Sequence, residues 1–200
     1  MSETDHQRVT AIARLAALHR HSDALTAAAT RLAHLVAWNQ PLYPAYLWWL
    51  VGGDWQVGFW TFLSTPFFAA APLVARRHAL AGRAMVPVTG VANGLLSAKL
   101  FGAASAVELF LIPCALIALL GFRRREWRVA LGVWALIAAV ALAHGHYGAP
   151  VGRFDAGQYA RLRRLNLYSV VALSLVIVWS LGSARRRLKD PIRGAARRSG

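Results

Sequence analysis

The sequence predicts an all-α integral membrane protein, a six-helix bundle with an N-terminal amphipathic helix. Three observations support this fold class: the chain is 57% hydrophobic, its apolar residues form blocks long enough to cross a bilayer, and arginine clusters separate the blocks. We divide the chain into an N-terminal cytoplasmic, amphipathic segment (1–30), a six-helix membrane domain (31–184) and a basic cytoplasmic tail (185–200).

The charge balance points to a membrane surface. Lys and Arg number 23 against 8 Asp and Glu, a formal net charge of +15, which in a polar chain would indicate nucleic acid. Here the basic residues punctuate apolar blocks, as at the cytoplasmic edge of membrane proteins. We therefore expect membrane lipid as a partner and no nucleic acid. The single cysteine, Cys114, excludes an intrachain disulfide.

The N-terminal segment carries a helical pattern from Gln7 to about Ala29. Apolar residues recur at helical spacing on one side and arginines lie on the other. We expect a helix that rests on the membrane surface, and a helix that binds a partner is the alternative. The residues that carry this pattern are Val9, Ile12, Leu15, Leu18, Arg8, Arg14 and Arg20.

The first two predicted spans are interrupted by proline. Span one runs from Arg31 to about Val51, and a tight turn at residues 52–54 leads into span two, from Trp55 to Ala75, with a kink at residues 64–66. Prolines inside a span free backbone carbonyls that other helices or water must satisfy. Tryptophans flank the turn, as in an interfacial aromatic belt.

Spans three and four form a helical hairpin between Ala84 and Phe122. One helix over this stretch would far exceed the thickness of the hydrocarbon core, so the chain must fold back near Gly102. Small residues recur every fourth position in the first half, and such a stripe lets a second helix approach closely. We expect helix packing along this stripe, which consists of Gly90, Gly94, Ala98 and Gly102.

The remaining spans and the charges define a topology. Span five runs from Trp127 to about Gly145 and span six from Leu165 to Ala184, followed by a tail that we expect to be disordered. With both termini cytoplasmic, 18 of the 23 basic residues lie inside, as the positive-inside rule requires. The sequence thus predicts a multi-pass protein of a bacterial inner membrane.

Five polar residues near the outer half of the bundle are candidate pocket residues. Polar groups are costly in hydrocarbon, so they should face protein or a wet cavity. Lys99 and Glu108 can pair across the turn or snorkel outward; alternatively the set lines a shallow pocket, open to the periplasm, for a small polar or amphipathic ligand. The candidates are Asn93, Lys99, Glu108, His144 and Asn166.

Signatures of intramembrane enzymes are missing from the sequence. No His is followed by Glu, so the H-E-x-x-H zinc motif is excluded, and the G-x-S-x-G elbow is absent as well. Cys114 follows Pro113 in an apolar run, a setting that disfavours a thiolate. We assign no catalytic residue, metal or cofactor.

The hairpin resembles a known class of membrane domain. The residues concerned are Asn93, the run GAASAVELFLIPC from Gly102 to Cys114, the run FRRRE from Phe122 to Glu126, and the opening of span six, LNLYSV. With the six-span layout, they look like the hexahelical membrane domains that precede the catalytic domains of bacterial class III adenylate cyclases and some sensor histidine kinases. The resemblance covers residues 31–184, and the chain stops about sixteen residues later. It implies a sensor-like module without an output domain.

Three function classes remain open. The first is a non-enzymatic, sensor-like or regulatory membrane protein that acts through a membrane or cytoplasmic partner or as a homo-oligomer. The second is a small transporter or channel subunit, which the kinked spans and the intramembrane polar residues also permit. The third is a membrane-embedded enzyme.

Overall fold

The computed structural model describes the backbone of residues 21–196 and the side chains as far as Leu188. All regular structure in this part of the chain is helical. Seven α-helices occur, and short 3₁₀ and π segments extend several of them. They are α1 (Ala24–Asn39), α2 (Leu42–Tyr46), α3 (Thr65–Arg77), α4 (Ala79–Phe101), α5 (Leu111–Leu120), α6 (Trp127–Leu142) and α7 (Ala156–Ala196).

Three helical stretches are long and apolar enough to cross a membrane. They are Trp55–Arg77, which joins a 3₁₀ segment to α3, then α4, and Ala156–Leu188 of α7. The predicted fourth span is shorter: Val107–Leu120 combines a 3₁₀ turn with α5. The all-helical prediction is therefore confirmed for the described residues, and three of their helical stretches are candidate membrane spans by length and composition.

Helix α1 begins seven residues before the predicted first span. Asp23 caps it, because the carboxylate accepts the backbone N–H of Leu25 and the hydroxyl of Thr26. Ala28 and Ala29 are completely buried, since their small side chains allow α1 to pack closely on α3 and α4. The prediction that this stretch lies on the membrane surface is wrong from Ala24 onward. Residues 7–20 of the predicted amphipathic helix lie outside the described residues.

Breaks in the helices occur where proline and glycine predict them. Helix α1 ends at Asn39 before Pro41, and the chain continues through α2 into a π segment, Leu47–Val51. The predicted tight turn follows, with positive φ at Gly52 and Gly53. The kink predicted near Pro66 is the change from 3₁₀ to α-helix at Thr65.

The hairpin turn at Gly102 is confirmed. Helix α4 ends at Phe101, and Gly102 adopts a φ of +76°, a conformation that glycine accepts without strain. The chain then returns, and α5 packs beside α4. Helix α7, by contrast, runs from Ala156 to Ala196. It extends beyond both ends of the predicted sixth span, and the prediction of a disordered tail is wrong from Arg185 to Ala196. Arg185 lies within this helix and donates hydrogen bonds to the carbonyls of Leu119, Leu120 and Phe122.

Three apolar clusters hold the bundle together. The first joins α1, α3, α4, α5 and α7 around Leu25, Phe68 and Leu181. The second joins α4, α5 and α6 around Cys114 and Ile137. The third lies at the opposite end of the bundle from the first and joins the π segment, α4 and α7. It is built from Leu47, Val51, Leu100, Phe101 and Leu162.

A buried ion cluster joins the helices at the end that we call the Arg83 end. The guanidinium of Arg83, 2% exposed, donates to Glu126 Oε1 at 2.6 Å and to the Gly121 carbonyl at 3.0 Å. Its Nε lies 3.9 Å from Asp23 Oδ2, and Arg123 donates to Asp23 Oδ1 at 2.8 Å. Arg83 lies inside α4, which begins at Ala79, four residues before it.

The carboxyl groups of this cluster have lowered pKa values. Burial raises the pKa of Asp23, but the hydrogen bond from Thr26 and the charges of Arg83 and Arg123 outweigh it, so the pKa falls below its ordinary 3.8. At Glu126, burial likewise raises the pKa, whereas the hydrogen bonds from the Arg83 side chain and the Arg123 backbone N–H lower it. The net effect lowers the pKa of Glu126 below 4.5.

These shifts predict an acid-sensitive stability. A carboxyl with a lowered folded-state pKa stabilises the fold above its unfolded pKa, and that stability is lost as the pH falls through the folded value. We expect the free energy of unfolding in detergent to be flat near neutrality and to fall below pH 4.5. Chemical denaturation between pH 7 and pH 3 measures this.

The double variant Asp23→Asn, Glu126→Gln tests the assignment to the cluster. It leaves Arg83 buried without a counter-charge and should destabilise the protein at pH 7 by about 3–5 kcal/mol. The acid-dependent loss should shrink in the same variant. Asp54→Asn, at an exposed carboxylate outside the cluster, is the control. An undiminished acid loss in the double variant would contradict the assignment.

Candidate ligand-binding cavity

The five sequence-predicted pocket residues do not form one site. Lys99 donates to the Ala149 carbonyl at 2.8 Å, whereas the Glu108 carboxylate contacts Nδ1 of His144. The expected pair of Lys99 with Glu108 is therefore wrong. The physical reason is the loop after α6, which approaches the α4–α5 turn and supplies closer partners for both residues.

Glu108, His144 and Tyr147 form a small polar group at the Lys99 end, which is the end opposite Arg83. The side chain of Glu108 is 15% exposed and that of His144 63%. Tyr147 donates to the Val140 carbonyl at 2.8 Å. Burial and the nearby Glu108 carboxylate raise the pKa of Tyr147 to about 12. This group joins the loop after α6 to the start of the α5 segment.

Asn166 serves as a link between helices. It is fully buried, its Oδ1 accepts the Tyr43 hydroxyl at 3.0 Å, and its Nδ2 donates to the Ser105 carbonyl at 2.9 Å. The three residues tie α2, α7 and the turn after α4 together. Every polar atom of the Asn166 amide group thus has a partner within the protein, and no ligand is needed to satisfy them.

The small residues of the stripe on α4 do not all contact another helix. At Gly90, an added Cβ would lie 2.7 Å from Sγ of Cys114, so glycine permits the contact between α4 and α5. At Gly94, an added Cβ would meet no heavy atom within 4 Å. Ala98 is buried, and Gly102 forms the turn. The expected packing role is therefore wrong for Gly94, which borders open space.

That space is a cavity of about 500 Å³ in the middle of the bundle. Its walls come from α1, α2, α4, α5 and α7, with Thr61 and Phe68 from the segment between α2 and α4. The first apolar cluster closes it towards the Arg83 end, since Leu32, Val86 and Ile177 belong to both the cluster and the lining. The Tyr43–Asn166–Ser105 link and the third cluster lie towards the Lys99 end.

The cavity opens sideways. Its exposed lining residues lie on α1 and α7: Leu35 is 45% exposed, Tyr168 70% and Val176 37%. Helices α1 and α7 contact each other in the first cluster, so the gap between them widens towards the Lys99 end. The mouth therefore faces the flank of the bundle, where the surroundings of a membrane helix are lipid.

A hydrogen-bond network fixes the polar wall of the cavity. The Gln40 amide accepts the hydroxyl of Thr65 and donates to Ser64 Oγ and to the Thr61 carbonyl. Ser64 Oγ in turn lies 3.0 Å from Oδ1 of Asn93. The Ser64 hydroxyl shares its one proton between the Thr61 carbonyl at 2.9 Å and Asn93 Oδ1, on which the chain of bonds ends. The Asn93 Nδ2 then faces the cavity without a hydrogen-bond partner among the described residues.

Asn39 is a second amide at the cavity. It lines the space and is exposed, and its side chain makes no hydrogen bond within the described part of the chain. An unsatisfied amide is costly away from water. The cavity is thus mainly apolar, with two amides that can donate to a ligand carbonyl or hydroxyl.

Of the predicted pocket residues, the structure places only Asn93 at the cavity. Sequence reasoning missed the rest of the wall, although Asn39 and Gln40 stood out as polar residues inside a predicted span. It also missed Asp23, for which a signal was present: an Asp directly before an apolar, alanine-rich run marks a helix start.

Within residues 21–196, no group of three or more His, Cys, Asp or Glu side chains is placed to hold a metal ion. Cys114 lines the cavity and packs on Gly90. Neither a protein-family model, nor a curated protein, nor a solved structure matches this chain.

The two glycines of α4 predict opposite responses to the same substitution. Gly94→Leu should leave stability unchanged or raise it by up to about 1 kcal/mol, because the side chain enters open space and glycine weakens a helix. Gly90→Leu should destabilise by about 1–3 kcal/mol through overpacking against Cys114. Thermal unfolding of both variants in detergent measures the difference. A larger loss at Gly94 than at Gly90 would show that the space is filled by protein.

Proposed function

We propose that this chain is a non-enzymatic, multi-pass protein of a bacterial inner membrane that senses a small amphipathic ligand. The ligand enters the cavity sideways from the bilayer, and a partner protein, or a second copy of the chain, reads its occupancy. The observation that carries the proposal is the sideways-open cavity of about 500 Å³ with the Asn93 amide facing it.

Outward-facing apolar residues support a six-span arrangement. They occur on the three long helices and also on α1 and α6, which are shorter. Examples are Trp38 at 68% exposure and Leu142 at 82%, which would be costly in water and are favourable in lipid. With five reversals along the chain, both termini lie on one side, and the distribution of arginines assigns that side to the cytoplasm.

The ion cluster supplies a physical route from the cavity to the cytoplasmic face. Four of the five helices that line the cavity reach the Arg83 end: α1 through Asp23, α4 through Arg83, and α5 and α7 through the hydrogen bonds of Arg185. A ligand that separates α1 from α7 therefore acts on the ion pairs of Asp23 and on the hydrogen bonds of Arg185. Such pairs have discrete arrangements, which is the requirement for a two-state response.

The contacts favour a sensor over a channel. Apolar clusters and the Asn166 link lie at both ends of the cavity along the bundle axis, so no path crosses the bundle. The resemblance to hexahelical receptor domains agrees with this proposal. A small transporter, in which the cavity opens alternately to the two sides, is the second candidate.

Hydrogen exchange with wild type and a variant that narrows the cavity tests the proposal. Purified protein is stripped of lipid in detergent and then supplied with a bacterial total lipid extract. We expect added lipid to slow amide exchange in α1 near Asp23 and in the α5–α6 turn near Arg123. In Gly94→Leu, whose side chain occupies part of the cavity beside Asn93, exchange should be slower without lipid and respond less to its addition.

Gly132→Leu is the matched control, because Gly132 lies on α6 with no neighbour within 4 Å of an added Cβ and faces outward. This variant should respond to lipid as wild type does. Equal responses of all three proteins would refute a ligand-binding cavity. Exchange of a solute by purified protein in liposomes would replace the sensor with the transporter.

A further inference from the structure

Arginines stand directly above the mouth of the cavity. Arg161, Arg163 and Arg164 are exposed in the first turns of α7. Arg161 donates to the Val51 carbonyl at 2.9 Å, which ties α7 to the π segment. Arg164 lies four residues before Tyr168, the exposed residue of the mouth, so both side chains lie on one face of α7.

Basic residues outnumber carboxylates at the Lys99 end, five against three. The carboxylates have other contacts: Glu108 contacts His144, and Asp54 and Asp155 accept the backbone N–H groups of Arg153 and Gln158. Arg163 and Arg164 make no ion pair within the described residues. The mouth therefore attracts an anion.

A second polar group, the Asn93 amide, lies deeper in the cavity than Arg164 and also needs a partner on the ligand. Helices α4 and α7 are antiparallel, since Phe101 shares a cluster with Leu162 and Val86 shares one with Ile177. Asn93 is consequently level with about residue 170 of α7, six residues below Arg164, or about 9 Å along the axis. A ligand that meets both side chains needs an anionic group above and a hydrogen-bond acceptor below it.

We propose that the ligand of this cavity is an anionic glycerophospholipid, an inference that rests on the proposed function. Its phosphate binds the Arg164 guanidinium, an ester carbonyl accepts a hydrogen bond from Asn93 Nδ2, and one acyl chain occupies the space down to Leu32, Val86 and Ile177. Guanidinium groups match phosphate oxygens in geometry and charge. In a fatty acid the carboxylate and the carbonyl are the same group, so it cannot meet both positions.

Photocrosslinking with a phosphatidylglycerol that carries a diazirine on one acyl chain tests this inference. The full-length protein is placed in nanodiscs of phosphatidylcholine with the probe, irradiated, and mapped by mass spectrometry. We expect labels on cavity residues of α1, α5 and α7. Unlabelled phosphatidylglycerol should compete about fivefold better than phosphatidylcholine. Both phosphates offer the same oxygens to Arg164, but the arginines repel the choline cation of phosphatidylcholine.

Two arginine variants identify the headgroup site. Arg164→Gln should remove most of the preference for phosphatidylglycerol. Arg163→Gln should retain it, because this neighbour has the same charge but lies about 140° from Tyr168 around the helix. Equal competition by the two phospholipids, equal behaviour of the two variants, or competition by free fatty acid as strong as by phosphatidylglycerol would each overturn the headgroup assignment.

The same experiment separates this inference from the proposed function. Labels inside the cavity that disappear in Gly94→Leu, without headgroup preference, would leave a ligand-binding cavity and remove only the anionic phospholipid. If the cavity residues are not labelled, or are labelled equally in wild type and Gly94→Leu, both proposals fail.

Discussion

The buried guanidinium of Arg83 is the interaction on which the arrangement of the bundle depends. A charge at 2% exposure is tolerated only when its partners are close, because the cost of removing it from water is several kcal/mol. Asp23 and Glu126 meet this need from two different segments. Their positions fix the start of α1 and the α5–α6 turn relative to α4, and the apolar cluster above them follows from that alignment.

The cavity in the middle of the bundle exists because the helices that surround it are interrupted or lack a side chain there. Helix α1 ends at Asn39 ahead of Pro41, and the segment that faces it is a 3₁₀ helix up to Ser64. These two segments contact each other through hydrogen bonds and not through apolar packing: the Gln40 amide donates to the Thr61 carbonyl and to the Ser64 hydroxyl. On α4, the missing side chain of Gly94 leaves its part of the wall unfilled. Tightly packed clusters at both ends keep this space from collapsing.

The properties of the cavity match a ligand that is itself divided into apolar and polar parts. The lower walls are aliphatic, amides occur midway, and arginines stand above the mouth. This order along the helix axes is also the order of groups in a phospholipid, from acyl chain through ester to phosphate. The mouth between α1 and α7 faces the flank of the bundle, so such a molecule would enter without crossing a polar surface.

The sequence by itself determined the features that depend on local chemistry: helical structure, the three long apolar helices, turns at Gly52 and Gly102, and breaks near proline. These follow from hydropathy, backbone freedom at glycine and the missing N–H of proline, all of which act within a few residues. Only the tertiary structure decided which residues these side chains and glycines contact. Lys99 and Glu108 are close along the chain, yet each bonds to the loop after α6. Gly90 and Gly94 share one helical stripe, yet only the first meets a neighbour. Spacing along one helix defines a face, but what that face contacts depends on helices far away in the chain.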